Sequence, residues 1–398
     1  MNCEQKFEGL RSEPSTRRRV LFVDHAAVLG GAELSLLDLA TAYRQTSQVL
    51  LFADGPFRER LEAAGVPVVV NLAPEAALSV RTSDRFGALK VFPALGWMAH
   101  RVATLACDFE LVHANSQKAF VAAALARLIG GPPVVWHLRD ILTARHFSGL
   151  NRRLAVTLAN RCAARVLVNS RATGQAFVAA GGRPDLVTLV YNGLPVEVFD
   201  RLDPAQSLAI RHELGVGEAP LVGVFSRLSY WKGQHVLLEA ARQLPNVHVL
   251  LVGEALFGEV EYTAQLKTLA ALPELAGRVH WVGFRSDVPA LMAACDIVAH
   301  TSTEPEPFGR VIVEGQLARR PVVATAAGAS TELIEDGVTG CLVPPGDAQA
   351  LASAIEKLLA DSGAAQALAE RGAAHARATF SLEALLATFD QALQSVPN

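Results

Sequence analysis

Several familiar signatures are missing from this sequence. Its five cysteines (Cys3, Cys107, Cys162, Cys295 and Cys341) are odd in number, widely scattered and never spaced C-x-x-C. That excludes a disulfide framework and a paired-cysteine zinc site, and it fits a reducing, cytoplasmic compartment. No run of about 18 uncharged apolar residues occurs, so no membrane-spanning helix is expected. The longest candidate, AFVAAALARLIGG, is interrupted by Arg127 and preceded by Lys118. The opening MNCEQKFEGLRSEPSTRRR has no apolar segment of the secretory kind, and residues 1–18 read as a disordered lead-in. Short-period repeats, low-complexity tracts and the G-x-G-x-x-G dinucleotide fingerprint are also absent.

What is present is size and apolar content. The chain has 398 residues, of which 51% are hydrophobic, with a mean hydropathy of +0.27. That suffices for a large core, and the length favours two domains. Charge is uneven: residues 1–199 hold 22 Lys+Arg against 16 Asp+Glu, and the remainder 14 against 23. A basic first half and an acidic second half suggest different partners, although chance and solubility explain the asymmetry about equally well.

Short β-rich runs alternate with Ala/Leu-rich helical runs. RVLFVDH, QVLLFA, PVVVNL, LVHAN, PVVWHL and RVLVNS read as strands, with helical patterns such as GAELSLLDLATAYRQ and QKAFVAAALARLIG between them. Such alternation means βαβ units and a parallel sheet. A Gly/Pro-interrupted polar stretch, YNGLPVEVFDRLD, then breaks the pattern. It restarts with PLVGVFSRL, HVLLVGE, VHWVGF, DIVAHTS and PVVATAA. The expected architecture is α/β, with two successive Rossmann-like domains at 19–199 and 200–380 facing across a cleft. A C-terminal helix at 381–398 follows, capped at Ser381. Ligands of open α/β sheets bind beyond the carboxyl ends of the strands, so residues just after strands are the site candidates.

Gly30 and Gly31 follow the first strand and open a helix, a weak anion-site signal by themselves. VVWHLRDIL places His137 and Arg139 immediately after a strand, where a histidine can donate to a hydroxyl or act as acid or base, or simply be a structural ring. Arg227 and Lys232 lie on the connection after the first strand of the second domain, ahead of Gly233 and a helix. Two cations there can neutralise a diphosphate. Gly283, Phe284 and Arg285 end another strand and can frame a base.

The most informative stretch is EPEPFGRVIVEG, residues 304–315. Glu306 lies in a proline-stiffened loop beyond a strand, and Phe308, Gly309 and Arg310 read as the first turn of a helix. The unpaired N–H groups of that turn face an anion. Glu314 lies further into the helix, roughly 7–8 Å along its axis. One ligand can span this arrangement, with hydroxyls at each carboxylate and a diphosphate at the helix start.

These motifs, in this order, resemble the family 4 retaining glycosyltransferases of the GT-B fold: GGAE, HLRD, NGL at Asn192–Leu194, SRLSYWKG, VGF, EPFGRVIVE, PVVAT and DGVTGCLVPPGD. The resemblance runs from about Arg19 to Gln394. It implies a nucleotide-diphosphate sugar (UDP- or GDP-linked, hexose-type) as donor, bound mainly by the second domain. It assigns Arg227 and Lys232 to the diphosphate, and Glu306 with the N–H groups of Phe308 and Gly309 to the sugar. Glu314 would take the ribose and Phe284 the base, with Gly31 approaching the phosphate or sugar and His137 near the sugar. It also implies that the last helix crosses back onto the first domain. With no Asp-x-Asp in the chain, no metal or other cofactor is expected. The acceptor would be a glycan, a glycolipid or a small molecule, in cell-surface polysaccharide or glycolipid synthesis; no nucleic acid is expected.

The segment SVRTSDRFGALKVFPALGWMAHRVATLA mixes Arg81, Arg85, Lys90 and Arg101 with Phe86, Leu89, Phe92, Leu95, Trp97 and Met98. It fits an anionic membrane face or a lipid-linked acceptor. It fits a core-packing helix pair equally well. Rival readings are a nucleotide-sugar epimerase, a sugar-phosphate synthase, and a non-catalytic nucleotide-sugar sensor.

Overall fold

The computed structural model of the chain describes residues 17–74, 92–143, 147–255 and 259–397. It divides into two compact units, Met1–Gly193 with Glu383–Asn398, and Leu194–Leu382.

In the first unit, strands β1 (Val20–Asp24), β2 (Ser47–Leu51), β3 (Val68–Val70), β4 (Leu111–Ala114), β5 (Val134–Leu138), β6 (Ala163–Val168) and β7 (Val187–Leu189) form one sheet. Its order is β3-β2-β1-β4-β5-β6-β7, and every pairing is parallel. β1, β4 and β5 are buried along their whole length. Helices cover both faces of such a sheet, which is why its central strands appear in the sequence as continuous apolar runs rather than alternating ones. On one face, Trp136 stacks on Phe120 with ring centroids 4.4 Å apart. Some helices of this unit start on a capping serine: Ser116 accepts from the Ala119 N–H at 3.4 Å and Ser170 from the Thr173 N–H at 3.1 Å.

The second unit repeats the plan with β8 (Leu221–Phe225), β9 (His248–Val252), β10 (Val279–Gly283), β11 (Ile297–His300), β12 (Val322–Thr325) and β13 (Cys341–Val343). The order is β10-β9-β8-β11-β12-β13, again parallel throughout. In each sheet the strand order reverses once, between β1 and β4 and between β8 and β11. Beyond the carboxyl ends of the strands at such a switch point, the connections diverge and leave a crevice. In the second unit the segments emerging there are 226–233 and 301–309.

The change of unit lies at Gly193–Leu194, ahead of the expected 199–200. Leu194 is already tied into the second unit: its N–H donates to the Phe380 carbonyl at 2.9 Å, and its own carbonyl accepts from the Leu382 N–H at 3.0 Å. The last helix, Leu382–Gln394, belongs almost wholly to the first unit. Phe389 packs among Phe22, Tyr43 and His113, and Asp390 accepts from Arg17 Nε at 3.2 Å and from the Tyr43 hydroxyl. Residues 1–16 lie outside the described part. Arg17 and Arg18, placed in the lead-in by the sequence reading, are anchored instead, because their guanidinium groups find acceptors on this helix. Arg18 Nη1 reaches the carbonyls of Leu393 (3.1 Å) and Val396 (2.7 Å).

Of the basic aromatic segment, residues 79–91 lie outside the described part. The helix Phe92–Ala106 buries Ala94, Met98, Val102 and Ala106, a helical stripe facing the core. Arg101 is held by the Asn71 side chain at 2.7 and 3.1 Å. No helix among the described residues is long and apolar enough to cross a membrane.

Candidate functional site

The second unit gathers Arg227, Lys232, Glu306 and the start of the helix Arg310–Leu317 at its switch point. Two backbone contacts bring the segments together. Gly233 has φ +69°, and a Cβ there would stand 2.0 Å from the Thr301 carbonyl oxygen, so only glycine lets segment 226–233 lie against segment 301–309. The contact is sewn by hydrogen bonds: Thr301 Oγ1 donates to the Lys232 carbonyl at 2.9 Å, and the Thr303 N–H donates to the Trp231 carbonyl at 2.8 Å. On the other side, a Cβ at Gly328 would meet the Glu306 carbonyl oxygen at 2.3 Å. The Ala329 N–H donates to that same oxygen at 3.0 Å. Glu306 is thus clamped from both sides before its side chain does anything.

Its carboxylate is 6% exposed and pairs directly with the Lys232 ammonium. Ser302 Oγ donates to the same oxygen, Oε1, at 3.1 Å, and His300 Nε2 lies 3.5 Å from it. Burial alone would raise the pKa of such a group. The charges and hydrogen bonds of Lys232 and His300 together outweigh it and hold the Glu306 carboxyl well below the usual carboxylate range. Lys232 Nζ also stands 4.1 Å from the Trp231 ring centroid, and the Arg227 guanidinium carbon 5.6 Å from it. One indole therefore faces both cations, an arrangement in which the ring quadrupole offsets their mutual repulsion.

Gly309 caps the helix Arg310–Leu317. The Phe308 ring is buried against Phe380, centroids 5.8 Å apart, so Phe308 can offer a ligand its backbone but not its side chain. Arg310 Nε donates to Glu314 Oε1 at 2.8 Å, one turn on. Each of the two carboxylates thus answers a cation. At the end of β10, Phe284 is 72% exposed after Gly283, and the Phe284 N–H donates to Glu254 Oε1 at 3.3 Å. Arg285 turns away to Asp287 and Glu213.

In the first unit the strand ends carry a buried polar chain that crosses β1, β4, β5 and β7. Asn115 Nδ2 donates to Asp24 Oδ2 at 2.6 Å, Arg139 Nε to Asn115 Oδ1 at 3.1 Å, and Arg139 Nη1 to Asn192 Oδ1 at 2.5 Å. Burial opposes the Asp24 charge, but His25 and Asn115 keep its carboxyl below the ordinary range. Gly30 and Gly31 open the helix Gly31–Ala42, and Glu33 Oε2 accepts from the Gly30 N–H at 2.9 Å. Burial, and then the Asp24 charge, push the Glu33 carboxyl up to about 7. A Cβ at Gly31 would meet nothing within 4 Å, so no contact inside the protein demands glycine there.

His137 is fully buried, not exposed at a strand end. It points to the sheet face shared with Phe22, its Nδ1 sits 3.0 Å from His113 Nε2, and its Nε2 has no partner within the protein. Burial, Arg139 and His113 keep its ring neutral. Arg139, two residues on along the same face, is the member of HLRD that reaches the strand ends.

Sequence reasoning passed over His300, Ser302, Trp231 and Gly328 in the second unit, and Asp24 and Asn115 in the first. Polar residues closing the apolar strands DIVAHTS and LVHAN were the available signal. Among the described residues, no group of three or more His, Cys, Asp or Glu side chains is placed to hold a metal ion.

Two family models cover most of the chain: a glycosyl transferase 4-like domain matches residues 30–193, and the glycosyl transferases group 1 model matches residues 208–375. The crystal structure of Anabaena Alr3699/HepE in complex with UDP and glucose superimposes with a TM-score of 0.86 at 43% identity, over 95% of this chain and all of that one. The chain belongs to the family 4 glycosyltransferases of the GT-B fold. Among curated members of this family, the lipopolysaccharide core biosynthesis glycosyltransferase LpsE of Rhizobium meliloti is 36% identical over 180 residues. That match spans 45% of this chain and about half (51%) of the relative's length. The D-inositol 3-phosphate glycosyltransferase of Mycobacterium bovis is 32% identical over 352 residues, 85% of this chain and 69% of the relative.

Proposed function

We propose that the chain transfers a hexose from a UDP-sugar to a hydroxyl of a glycan, glycolipid or small-molecule acceptor, with retention at the anomeric carbon. The observation that carries this reading is the Lys232–Glu306 pair beside Arg227 and the helix start at Arg310. It is supported by the likeness to HepE, whose crystal structures contain UDP and glucose or UDP-glucose.

The chemistry follows from charge. Breaking the bond between sugar and diphosphate leaves negative charge on the phosphate and positive charge on the ring. Arg227, Lys232 and the positive end of the helix Arg310–Leu317 are fixed where the phosphate charge grows, which lowers the barrier by preorganisation. The diphosphate competes with Glu306 for Lys232. The displaced carboxylate is then available to sugar hydroxyls, while Glu314 takes the ribose and the exposed Phe284 ring stacks on the base. The acceptor hydroxyl attacks from the face the diphosphate leaves, and a leaving phosphate oxygen takes its proton. His137 enters this scheme only through Nε2, as a neutral ring. The two cations supply the charge a metal would otherwise bring, so the reading is metal-independent. The first unit, with its Asp24–Asn115–Arg139–Asn192 chain, is assigned the acceptor. The setting is polysaccharide or glycolipid synthesis at the inner face of the cytoplasmic membrane.

The test is incubation with radiolabelled UDP-, GDP- and ADP-sugars. Slow hydrolysis of one UDP-sugar, undiminished by a chelator, supports the reading. Isomerised sugar indicates an epimerase and binding without turnover a sensor, and either result removes the proposal.

A further inference from the structure

The second unit carries a cavity of about 710 Å³ that has no part in the donor site described above. Its walls include Leu208, Arg211, Asp296, Leu317, Arg319 and Arg320. Asp296 immediately precedes β11, Arg319 and Arg320 precede β12, and Asp296 Oδ2 accepts from the Leu221 N–H that begins β8 (2.7 Å). The cavity therefore lies at the amino ends of these strands. Arg227, Lys232 and Glu306 lie past their carboxyl ends, roughly 13–17 Å away at 3.3 Å per strand residue.

Its wall holds three arginines and four acids, and most of these charges are already engaged. Arg211 is spent on Asp296 (3.2 Å) and on the carbonyls of Ala294, Gly217 and Ala219. Asp200 is held by Arg377 at 2.5 and 2.9 Å, and Asp203 caps a helix by accepting from the Ala205 N–H at 2.9 Å. Glu218, the remaining acid of the wall, is exposed. Asp200 and Asp296 act on Arg319 and Arg320 through space without a hydrogen bond to either, and the buried Nε of Arg320 has no hydrogen-bond acceptor within the protein. Leaving a guanidinium nitrogen both desolvated and unpaired is unfavourable unless something else supplies the acceptor.

Arg319 adds an independent observation. Among the described residues it is the only non-glycine with positive φ, at +55°. It follows the C-cap Ala318 of the helix Arg310–Leu317, a position where glycine is the favoured residue because L side chains are strained there. The chain keeps an arginine at a backbone position that would be relaxed by glycine, and that arginine lines the cavity.

We propose that this cavity binds a small phosphate monoester, with its phosphate between Arg319 and Arg320 and its body against Leu202, Leu208 and Leu317. Adjacent guanidinium groups present forked donors that match phosphate oxygens, and the apolar wall accommodates a short carbon body.

Isothermal titration with glycerol 3-phosphate and glucose 6-phosphate, with glycerol as neutral control, tests this on the full chain. Binding of at least one monoester by the wild type is expected, weakened about tenfold or more by Arg320→Ala and by Arg319→Gly. The Arg319→Gly variant guards against misfolding, since it relieves the backbone and its melting temperature should not fall. Lys232→Ala should leave monoester binding unchanged. The proposal is overturned if neither monoester binds, if both arginine variants bind as the wild type does, or if Lys232→Ala abolishes binding. The last result would place the phosphate at the donor groups and leave the glycosyltransferase reading intact.

Discussion

Replacing Lys232 by alanine strips the partner from a carboxylate that is 6% exposed and fixed by its own backbone. Glu306 cannot swing out to water, because Gly328 and Ala329 hold its main chain. Ser302 and His300 remain as polar neighbours, but the full positive charge is gone. Leaving one charge of a buried pair uncompensated costs roughly 3–5 kcal/mol. The carboxyl then escapes part of that cost by taking up a proton, so its pKa must rise. The sign with pH follows. In the wild type, Glu306 titrates below its unfolded value, so its contribution is present above about pH 4.5 and is lost as pH falls through the depressed folded pKa. In Lys232→Ala, folding is linked to protonation, and the deficit relative to wild type shrinks as pH is lowered from 7 towards 5. The pair Lys232→Ala/Glu306→Gln should recover most of the loss, since a neutral amide needs no counter-charge. Hydrogen exchange of segment 299–306 in the three proteins, at pH 7 and pH 5, measures this local stability. Equal protection in Lys232→Ala and the double variant at pH 7, or a deficit that grows on acidification, would refute the reasoning.

Arg227→Ala should weaken UDP binding about tenfold to a hundredfold, the worth of one charge-assisted contact, with melting temperature unchanged; titration calorimetry reads the first and scanning calorimetry the second. Trp231→Leu removes the ring that faces both cations while keeping apolar bulk, so UDP affinity should fall by roughly 0.5–2 kcal/mol, and a wild-type Kd would refute the ring's role. Gly233→Ala places a methyl group into the Thr301 carbonyl at a left-handed backbone position. It should cost more than about 1 kcal/mol and abolish donor hydrolysis, whereas an active, stable variant would mean that the two segments need not touch. Glu33, with its carboxyl pushed up to about 7, makes the first unit lose stability as pH rises from about 4.5 to 7, because the folded state then holds the extra proton. Glu33→Gln should flatten that slope and gain about 1–3 kcal/mol at pH 8, read from urea unfolding of the first unit.

The sheets were legible because strands buried on both faces leave long apolar runs, and βαβ alternation has few three-dimensional solutions. Arg227, Lys232 and Glu306 were singled out for a related reason: a charged residue just past a strand in an α/β protein lies at the ligand edge. That Lys232 and Glu306 form a direct pair was not legible. Seventy-four positions separate them, and the contact depends on Gly233 and Gly328 admitting other main chains, which local pattern does not reveal. His137 is a different case. The sequence reading put it at a strand's carboxyl end with a structural ring as the alternative; it lies within β5, fully buried beside His113, and Arg139 is the residue just past the strand. The expected unit boundary missed because Leu194, apolar and next to a proline, reads as linker until its pairing with Phe380 and Leu382 is seen.

The central claim is that a diphosphate is held by Arg227, Lys232 and the helix start at Arg310, between Glu306 and Glu314. A crystal structure of the protein with UDP tests it most directly. The account predicts phosphate oxygens within hydrogen-bond distance of Lys232 Nζ, the Arg227 guanidinium and the first N–H groups of the helix Arg310–Leu317, with the ribose at Glu314. Phosphates elsewhere, with Lys232 still paired only to Glu306, would contradict it.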